Sequence, residues 1–248
     1  MKNIKITIAY DGSEYLGWQN TKMGPSIEGT LLTVLEKVLQ EKISLQAASR
    51  TDAGVHARSQ IVNFITKKKD LDLVSLERAL NSLLPPDIAV LKLEFALKDF
   101  HPTLDCQKKE YHYHLCSNQA QLPHNRHFSW HYPHSLNIEL MRSMSQALIG
   151  KHDFAAFINC MNNKIPDDTI RELTRIDLIE LPENRLRFEV EGRHFLYKMV
   201  RNIVGYLVYV GCGKLKPGAI SQILASKDRK LGGITAPALG LTLFEINY

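Results

Sequence analysis

Long hydrophobic runs are missing from this chain of 248 residues. The longest apolar stretch, 203–210, falls far short of the roughly 20 residues that a membrane-spanning helix needs. The first residues, Met1-Lys2-Asn3-Ile4-Lys5-Ile6-Thr7-Ile8, alternate apolar and polar side chains, which predicts a strand in place of the continuous apolar core of a signal peptide. Cysteine is scarce too. Cys106, Cys116, Cys160 and Cys212 stand too far apart for a CxxC pair, and a chain of this size needs no disulfide framework, so all four read as free thiols in a reducing cytoplasm. There is no PCxxC motif, which excludes a zinc deaminase, and no glycine-rich turn from strand to helix, which excludes a nucleotide-dependent modifier. Gly211-Cys212-Gly213-Lys214-Leu215 would make a phosphate loop only with glycine at Val208 and serine or threonine at Leu215; it reads as a helix end. Charge is only mildly unbalanced, at +5 with a pI near 8.9, which favours a polyanionic partner without requiring one.

What the chain does have is a concentrated polar loop, Ser49-Arg50-Thr51-Asp52-Ala53-Gly54-Val55-His56-Ala57. Arg50 offers a planar donor for phosphate, and Asp52 is the one group in the segment able to attack carbon. Asp-Ala-Gly by itself is also an ordinary turn. A second polar feature lies on a helix expected over 195–210. At about 100° per residue, Lys198, Arg201, Asn202, Gly205 and Tyr209 share one narrow arc, and the remaining positions are almost all apolar. Gly205 sits mid-seam, where a missing side chain admits another backbone or a nucleotide despite costing roughly 1 kcal/mol of helix propensity. The alternative is a solvent-facing stripe with a snorkelling lysine. His112, His114, His124, His127, His131 and His134 crowd one region, but no cysteine or carboxylate completes a recognisable ligand set, so no metal is expected and these histidines read as surface residues. Lys67-Lys68-Lys69 and the trio Lys227, Arg229 and Lys230 read as exposed basic clusters.

Hydrophobic periodicity divides the chain into similar halves. The first reads as a strand over 4–10, a helix carrying Ile27, Leu31, Val34, Leu35 and Val38 behind a Ser26 cap, strands near Leu45 and over 61–65, a helix over 74–83 and a strand over 88–93. The second reads as a strand over 111–116, a helix bearing Ile138, Met141, Met144 and Leu148 and closed by Gly150, strands over 176–181 and 186–191, the 195–210 helix, and a last strand over 241–246. Both are βαββαβ. Residues 98–108 read as the linker, and each half predicts an antiparallel sheet with helices on one face.

Seven segments in order along the chain carry a resemblance. Besides the Asp52 loop they are Tyr10-Asp11-Gly12-Ser13-Glu14-Tyr15-Leu16-Gly17-Trp18-Gln19, Gln60-Ile61-Val62-Asn63-Phe64, Phe100-His101, Lys109-Glu110-Tyr111-His112-Tyr113, Phe195-Leu196-Tyr197-Lys198-Met199-Val200-Arg201-Asn202, and Thr235-Ala236-Pro237-Ala238-Leu239-Gly240-Leu241. Together they resemble the tRNA pseudouridine synthase A family. The resemblance implies an α+β fold in which two ferredoxin-like or RRM-like βαββαβ halves, 1–103 and 104–248, join into an extended, mainly antiparallel sheet with a central catalytic cleft. It implies a cytoplasmic homodimer that isomerises uridine to pseudouridine at positions 38, 39 and 40 of the tRNA anticodon arm, without cofactor or metal. Asp52 would be the nucleophile, Arg201 the cation that keeps it ionised, and Tyr111 the stacking platform and proton relay. Arg50, His56, Lys109 and Lys198 would join Tyr111 in contacting the RNA. The chain departs from the pattern at Ser49, where the family has glycine, and at Pro102-Thr103, where it has alanine and arginine. The second departure removes a basic contact for which Lys108 and Lys109 are the nearest substitutes. The rival readings are a relative acting on another RNA and a silent RNA-binding or RNA-folding module; intact Asp52, Tyr111 and Arg201 argue against the silent one.

Overall fold

The computed structural model describes residues 1–159, 166–218 and 220–248. The chain is a mixed α/β protein whose strands pair mostly antiparallel, and it separates into two compact units, Met1–Gln107 with Thr242–Tyr248, and Lys108–Leu241.

In the first unit the strand β1 (Lys2–Tyr10), whose apolar and polar side chains alternate from Ile4 to Ile8, lies antiparallel between β3 (His56–Thr66) and β4 (Ile88–Ala96). The short β2 (Gln46–Ala47) pairs with β3. Ile4, Ile6 and Ile8 are buried, as are Ile27, Leu31 and Leu35 of α1 (Ile27–Leu39), so the apolar stripe of the helix and one face of the sheet supply the core. Ser26 caps α1 as expected, its hydroxyl accepting from Gly29 N at 3.2 Å. Asp72 does the same for α2 (Leu73–Leu83) by accepting from Val74 N. The linker is tied down at its start. Asn3 donates its side-chain amide to Leu97 O and Phe100 O, and Asn63 donates to Phe100 O. Pro102 and Thr103 have jobs of their own, Pro102 O accepting from the Tyr248 hydroxyl and Thr103 Oγ1 donating to Ala47 O, each at 2.8 Å.

In the second unit β5 (Lys108–Cys116), β9 (Arg185–Gly192), β8 (Ile170–Leu181) and β7 (Gly150–Asp153) follow one another antiparallel, and β6 (Trp130–His131) runs parallel to β5. Glu183 and Asn184 turn the β8–β9 hairpin with positive φ, the conformation that matches strand twist. Tyr111, Tyr113 and Leu115 alternate into the core with Leu186, Phe188 and Val190, as does α4 (Met199–Gly211), buried along nearly its whole length. α3 (Ile138–Gln146) and α5 (Ile220–Ser226) complete the unit.

The other face of this sheet carries a charge network. His112 and Arg175 meet Glu110 at 2.7 and 2.8 Å, and Arg187 and Arg175 meet Glu189 at 2.6 and 3.3 Å. Burial pushes His114 down to about 4, helped by His112, Arg187 and Arg185. Burial likewise lowers His112, against the pull of its carboxylate neighbours.

Several expectations are corrected here. From Thr242 onward the last strand, β10 (Leu241–Asn247), is grouped with the first unit, where Thr242 and Leu243 pair in parallel with His56 and Ala57. Correspondingly, the units divide between Gln107 and Lys108 and not at 103/104, because the hydrogen bonds of Asn3, Asn63, Ala47 and Tyr248 hold residues 97–103 to the first. α3 ends at Gln146, and Gly150, with φ 106, opens β7 in place of closing a helix. α4 starts four residues later than its periodicity suggests, because Lys198 takes the left-handed conformation at φ 60 and no side chain caps the helix. β6, β7 and α5 were not expected; β6 and β7 are only two and four residues long.

Candidate active site

The Asp52 loop is built by two of the sequence segments together. Thr51 O accepts from Trp18 N at 3.0 Å, Gly54 N donates to Tyr15 O at 3.3 Å, and the Tyr10 hydroxyl lies 2.7 Å from Thr51 Oγ1. Val55 N closes a tight turn on Asp52 O at 3.1 Å. From the other side, Gln60 brackets Ser49, accepting from its N–H at 3.2 Å and donating to its carbonyl at 2.6 Å. Such close backbone packing needs the glycines of the 10–19 segment. A Cβ on Gly12 would lie 2.0 Å from Val55 O, and Gly17 combines φ +96 with a Cβ position 2.7 Å from Thr51 O. Gly12→Ala is therefore expected to shift the loop, lowering stability by about 1–3 kcal/mol. Turnover should fall roughly tenfold or more through misplacement of Asp52. Thermal melts and turnover on the same preparation check this; unchanged values in both would show that the loop adapts freely.

Within this loop Asp52 is half-buried and Arg50 is exposed. His56 is not. At 1 % exposure, with Nδ1 3.1 Å from both Gly12 N and Asp11 Oδ1, it has no surface for RNA and acts as support. Nδ1 cannot accept from Gly12 N–H and donate to Asp11 at once. The Gly12 contact requires a neutral ring with its proton on Nε2. Asp11 has other work, accepting from Ser13 N and Oγ at 3.0 and 2.6 Å. Tyr15 donates to Asp87 Oδ1 at 2.8 Å, and burial, followed by that carboxylate, holds its phenol above the usual range.

In the second unit Tyr111 and Tyr113 share one face of β5, but they differ. Tyr113 is fully buried, and its hydroxyl donates to Pro237 O at 2.9 Å. Burial raises its pKa well above 10, and the charge of Arg201 acts in the opposite direction. Gly240 makes room for its ring, since a Cβ there would come within 2.5 Å of it. Tyr111 packs edge-on against Phe195, with ring centroids 4.9 Å apart at 78°. Tyr111 and Lys109, on the same strand, are 7 % and 6 % exposed.

α4 carries Arg201, half-buried, and the 234–237 segment straps it in place. Arg201 Nε donates to Ala236 O at 2.8 Å, and Ala236 N donates to Arg201 O at 3.0 Å. Gly205 is where the strap crosses: a Cβ would sit 2.1 Å from Ile234 O, so the partner approaching this glycine is backbone. The polar seam expected on α4 is dissolved by the fold. Lys198 precedes the helix, half-buried, with Nζ 4.8 Å above the Tyr197 ring, and Asn202 is wholly buried. Arg229 is also corrected: far from forming an exposed cluster, it is drawn inward onto Asn202, Asn159, Thr235 and Gly233. Lys67, Lys68, Lys69, Lys227 and Lys230 are exposed as expected.

The histidine region separates into two kinds. His124, His127 and His134 are exposed, whereas His112 is buried and meets Glu110, two residues before it on β5, and Glu189 of β9, which linear spacing concealed. Glu110, His112 and Glu189 bring three potential ligand atoms within 4.8 Å of one another. Arg175 and Arg187 already hold those carboxylates, so a cation there would have to displace two guanidiniums. Among the described residues Cys106, Cys116 and Cys212 take part in no disulfide, and the Cys212 sulfur lies 3.0 Å from the Tyr132 hydroxyl; Cys160 lies outside the described residues. No described helix is long and apolar enough to cross a membrane.

Gly12, Gly17, Gln60, Asn202 and Arg229 act on the loop or the strap through contacts that the sequence did not assign to them. The first four lie within recognisable segments and so carried some prior signal; Arg229 carried none.

Comparison with known proteins places this geometry in a family. A family model described as tRNA pseudouridine synthase matches residues 6–103 and 144–248. The tRNA pseudouridine synthase A 2 of Protochlamydia amoebophila (strain UWE25) is 53% identical over 248 residues, covering 100% of this chain and 95% of the relative. The tRNA pseudouridine synthase A of Thermoanaerobacter sp. (strain X514) is 43% identical over 249 residues, covering 100% of both. Among solved structures, a Cbf5-Nop10-Gar1 complex matches with a TM-score of 0.36 and 13% identity over 83% of this chain and 44% of that one, a likeness too remote to argue from. With a family model spanning both units and full-length relatives at this identity, the chain belongs to the tRNA pseudouridine synthases, a family of isomerases.

Proposed function

We propose that this chain isomerises uridine to pseudouridine at positions 38, 39 and 40 of the tRNA anticodon stem-loop, with Asp52 as nucleophile and no cofactor. The observation that carries the reading is the Asp52 loop, gripped through its backbone by the 10–18 segment and by Gln60, which leaves a carboxylate on a rigid tight turn beside an exposed arginine. The reaction is an isomerisation. A carboxylate oxygen attacks the sugar or the base, the bond from ribose to uracil nitrogen breaks, the uracil turns, carbon 5 bonds to the ribose, and the carboxylate leaves. Carbon 5 gives up its proton and the freed nitrogen takes one, so nothing is oxidised or reduced.

Each residue has a part. Arg201, its Nε fixed by the strap, supplies the planar guanidinium of the reaction. Tyr111 offers a ring for the flipped base and a phenol to relay the carbon 5 proton. Arg50 takes a phosphate; Lys109 and Lys198 add positive charge near the RNA, and His56 supports the loop from below. The same reading makes the protein a cytoplasmic homodimer, in keeping with the resemblance.

Mapping pseudouridine in tRNA from cells with and without the gene tests it. The modification at positions 38–40 should vanish with the gene and return when purified protein is added after exhaustive chelation. An unchanged map would overturn the substrate assignment, and activity that only added metal restores would overturn the cofactor-free chemistry.

A further inference from the structure

We propose that Arg229 is a positioning residue that sets the strap and, through it, the guanidinium of Arg201; this rests on the reading that Arg201 serves the reaction. Arg229 reaches three segments with one planar group. Nε donates to Asn159 Oδ1 at 3.3 Å, Nη1 to Gly233 O at 2.5 Å, and Nη2 to Asn202 Oδ1 at 2.8 Å and Thr235 Oγ1 at 3.0 Å. Asn202 is the residue after Arg201 on α4. Its amide donates to Phe157 O at 2.7 Å and Asn159 Oδ1 at 2.8 Å, and its oxygen also accepts from Thr235 Oγ1 at 2.6 Å. Thr235 is followed by Ala236, whose carbonyl and N–H both bond Arg201. The chain of contacts from Arg229 to Arg201 is therefore short and made entirely of hydrogen bonds.

No carboxylate among the described residues pairs with Arg229. Burial lowers its pKa, so the site accepts the cost of an uncompensated guanidinium to obtain its geometry. A lysine has no planar fork and could not hold Gly233, Asn202 and Asn159 together in one plane. An exposed arginine serving only phosphate would not be turned onto neutral oxygens in this way.

The test compares Arg229→Met, Arg229→Lys and Thr235→Val with the exposed neighbour Lys230→Met and with Asp52→Asn, measuring single-turnover rate at saturating enzyme and tRNA affinity across salt. Arg229→Met should lose roughly 10- to 100-fold in rate, as expected for a misplaced catalytic group. Its tRNA affinity and salt slope should match wild type. Arg229→Lys and Thr235→Val should move the same way by less, and they carry the test if Arg229→Met does not fold. Lys230→Met should behave as wild type. Normal saturating rates in the Arg229 and Thr235 variants would overturn the proposal, whether accompanied by a lower melting temperature, which marks a merely structural role, or by weaker binding with a flatter salt slope, which marks a direct phosphate contact. An inactive Asp52→Asn beside a fully active Arg229→Met would sink this inference alone; an active Asp52→Asn would sink the reading beneath it.

Discussion

Asp52→Asn is expected to fold, to bind tRNA and to form no detectable pseudouridine. The substitution keeps the shape of the side chain, and the bonds that hold the loop run through backbone atoms of Thr51, Asp52, Gly54 and Val55, which it leaves untouched. What changes is chemistry. An amide oxygen cannot attack carbon, form an intermediate and depart as a carboxylate does, so the loss should be on the order of 10⁴-fold or more, as for other nucleophile deletions. Release of the carbon 5 hydrogen from labelled uridine reads the reaction directly, and a tRNA binding curve beside it shows that the surface is intact. Measurable turnover from a preparation free of wild-type enzyme, and of protein whose introduced amide has hydrolysed back to the carboxylate, would remove Asp52 from the nucleophile's role. Lost binding would instead assign it a role in holding RNA.

The second large effect is expected at Tyr111, where ring and hydroxyl have separate duties. Tyr111→Phe keeps the edge contact with Phe195, 4.9 Å between centroids, and so keeps both the packing of β5 and the stacking surface. It should bind tRNA as wild type does yet lose roughly 10²- to 10⁴-fold in turnover, the usual worth of a positioned general acid or base. Tyr111→Leu should in addition weaken binding of the flipped base by about 1–3 kcal/mol, the value of one aromatic stack. Normal turnover in Phe with loss in Leu would show that the hydroxyl is dispensable and that another group takes the carbon 5 proton. Full activity in both would make Tyr111 a packing residue. Tyr113, the other candidate on this strand face, has its hydroxyl committed to Pro237 O and its ring fully buried, so its place in the structure is already that of a core residue.

Much of this protein is local and was legible in the chain. The strands β1, β5 and β9 follow from period-two alternation, and α1 follows from its apolar stripe and its Ser26 cap, because each signal depends only on neighbours a few residues away. The family, and with it Asp52, Tyr111 and Arg201 as candidates, came from short segments whose residue types are constrained by chemistry. Tertiary structure alone decided the remainder. The pairing of β10 with β3 joins segments far apart along the chain, Thr242 to His56, and no periodicity within seven residues can specify it. The start of α4 was hidden because Leu196, Met199 and Val200 continue the helical apolar spacing across a left-handed Lys198. His112 and Arg229 looked like surface polar residues, and partners from other segments draw them inward: β9 brings Glu189 to His112, and Asn202 and Thr235 bond Arg229. A buried polar group is stable only with its partners in place, and some of those partners lie far off along the chain, as Glu189 does from His112 and Asn159 from Arg229. Sequence alone determined which residues could do the chemistry; the fold decided which of them are held and by what, since hydrogen bonds between distant segments exist only once the chain has closed on itself.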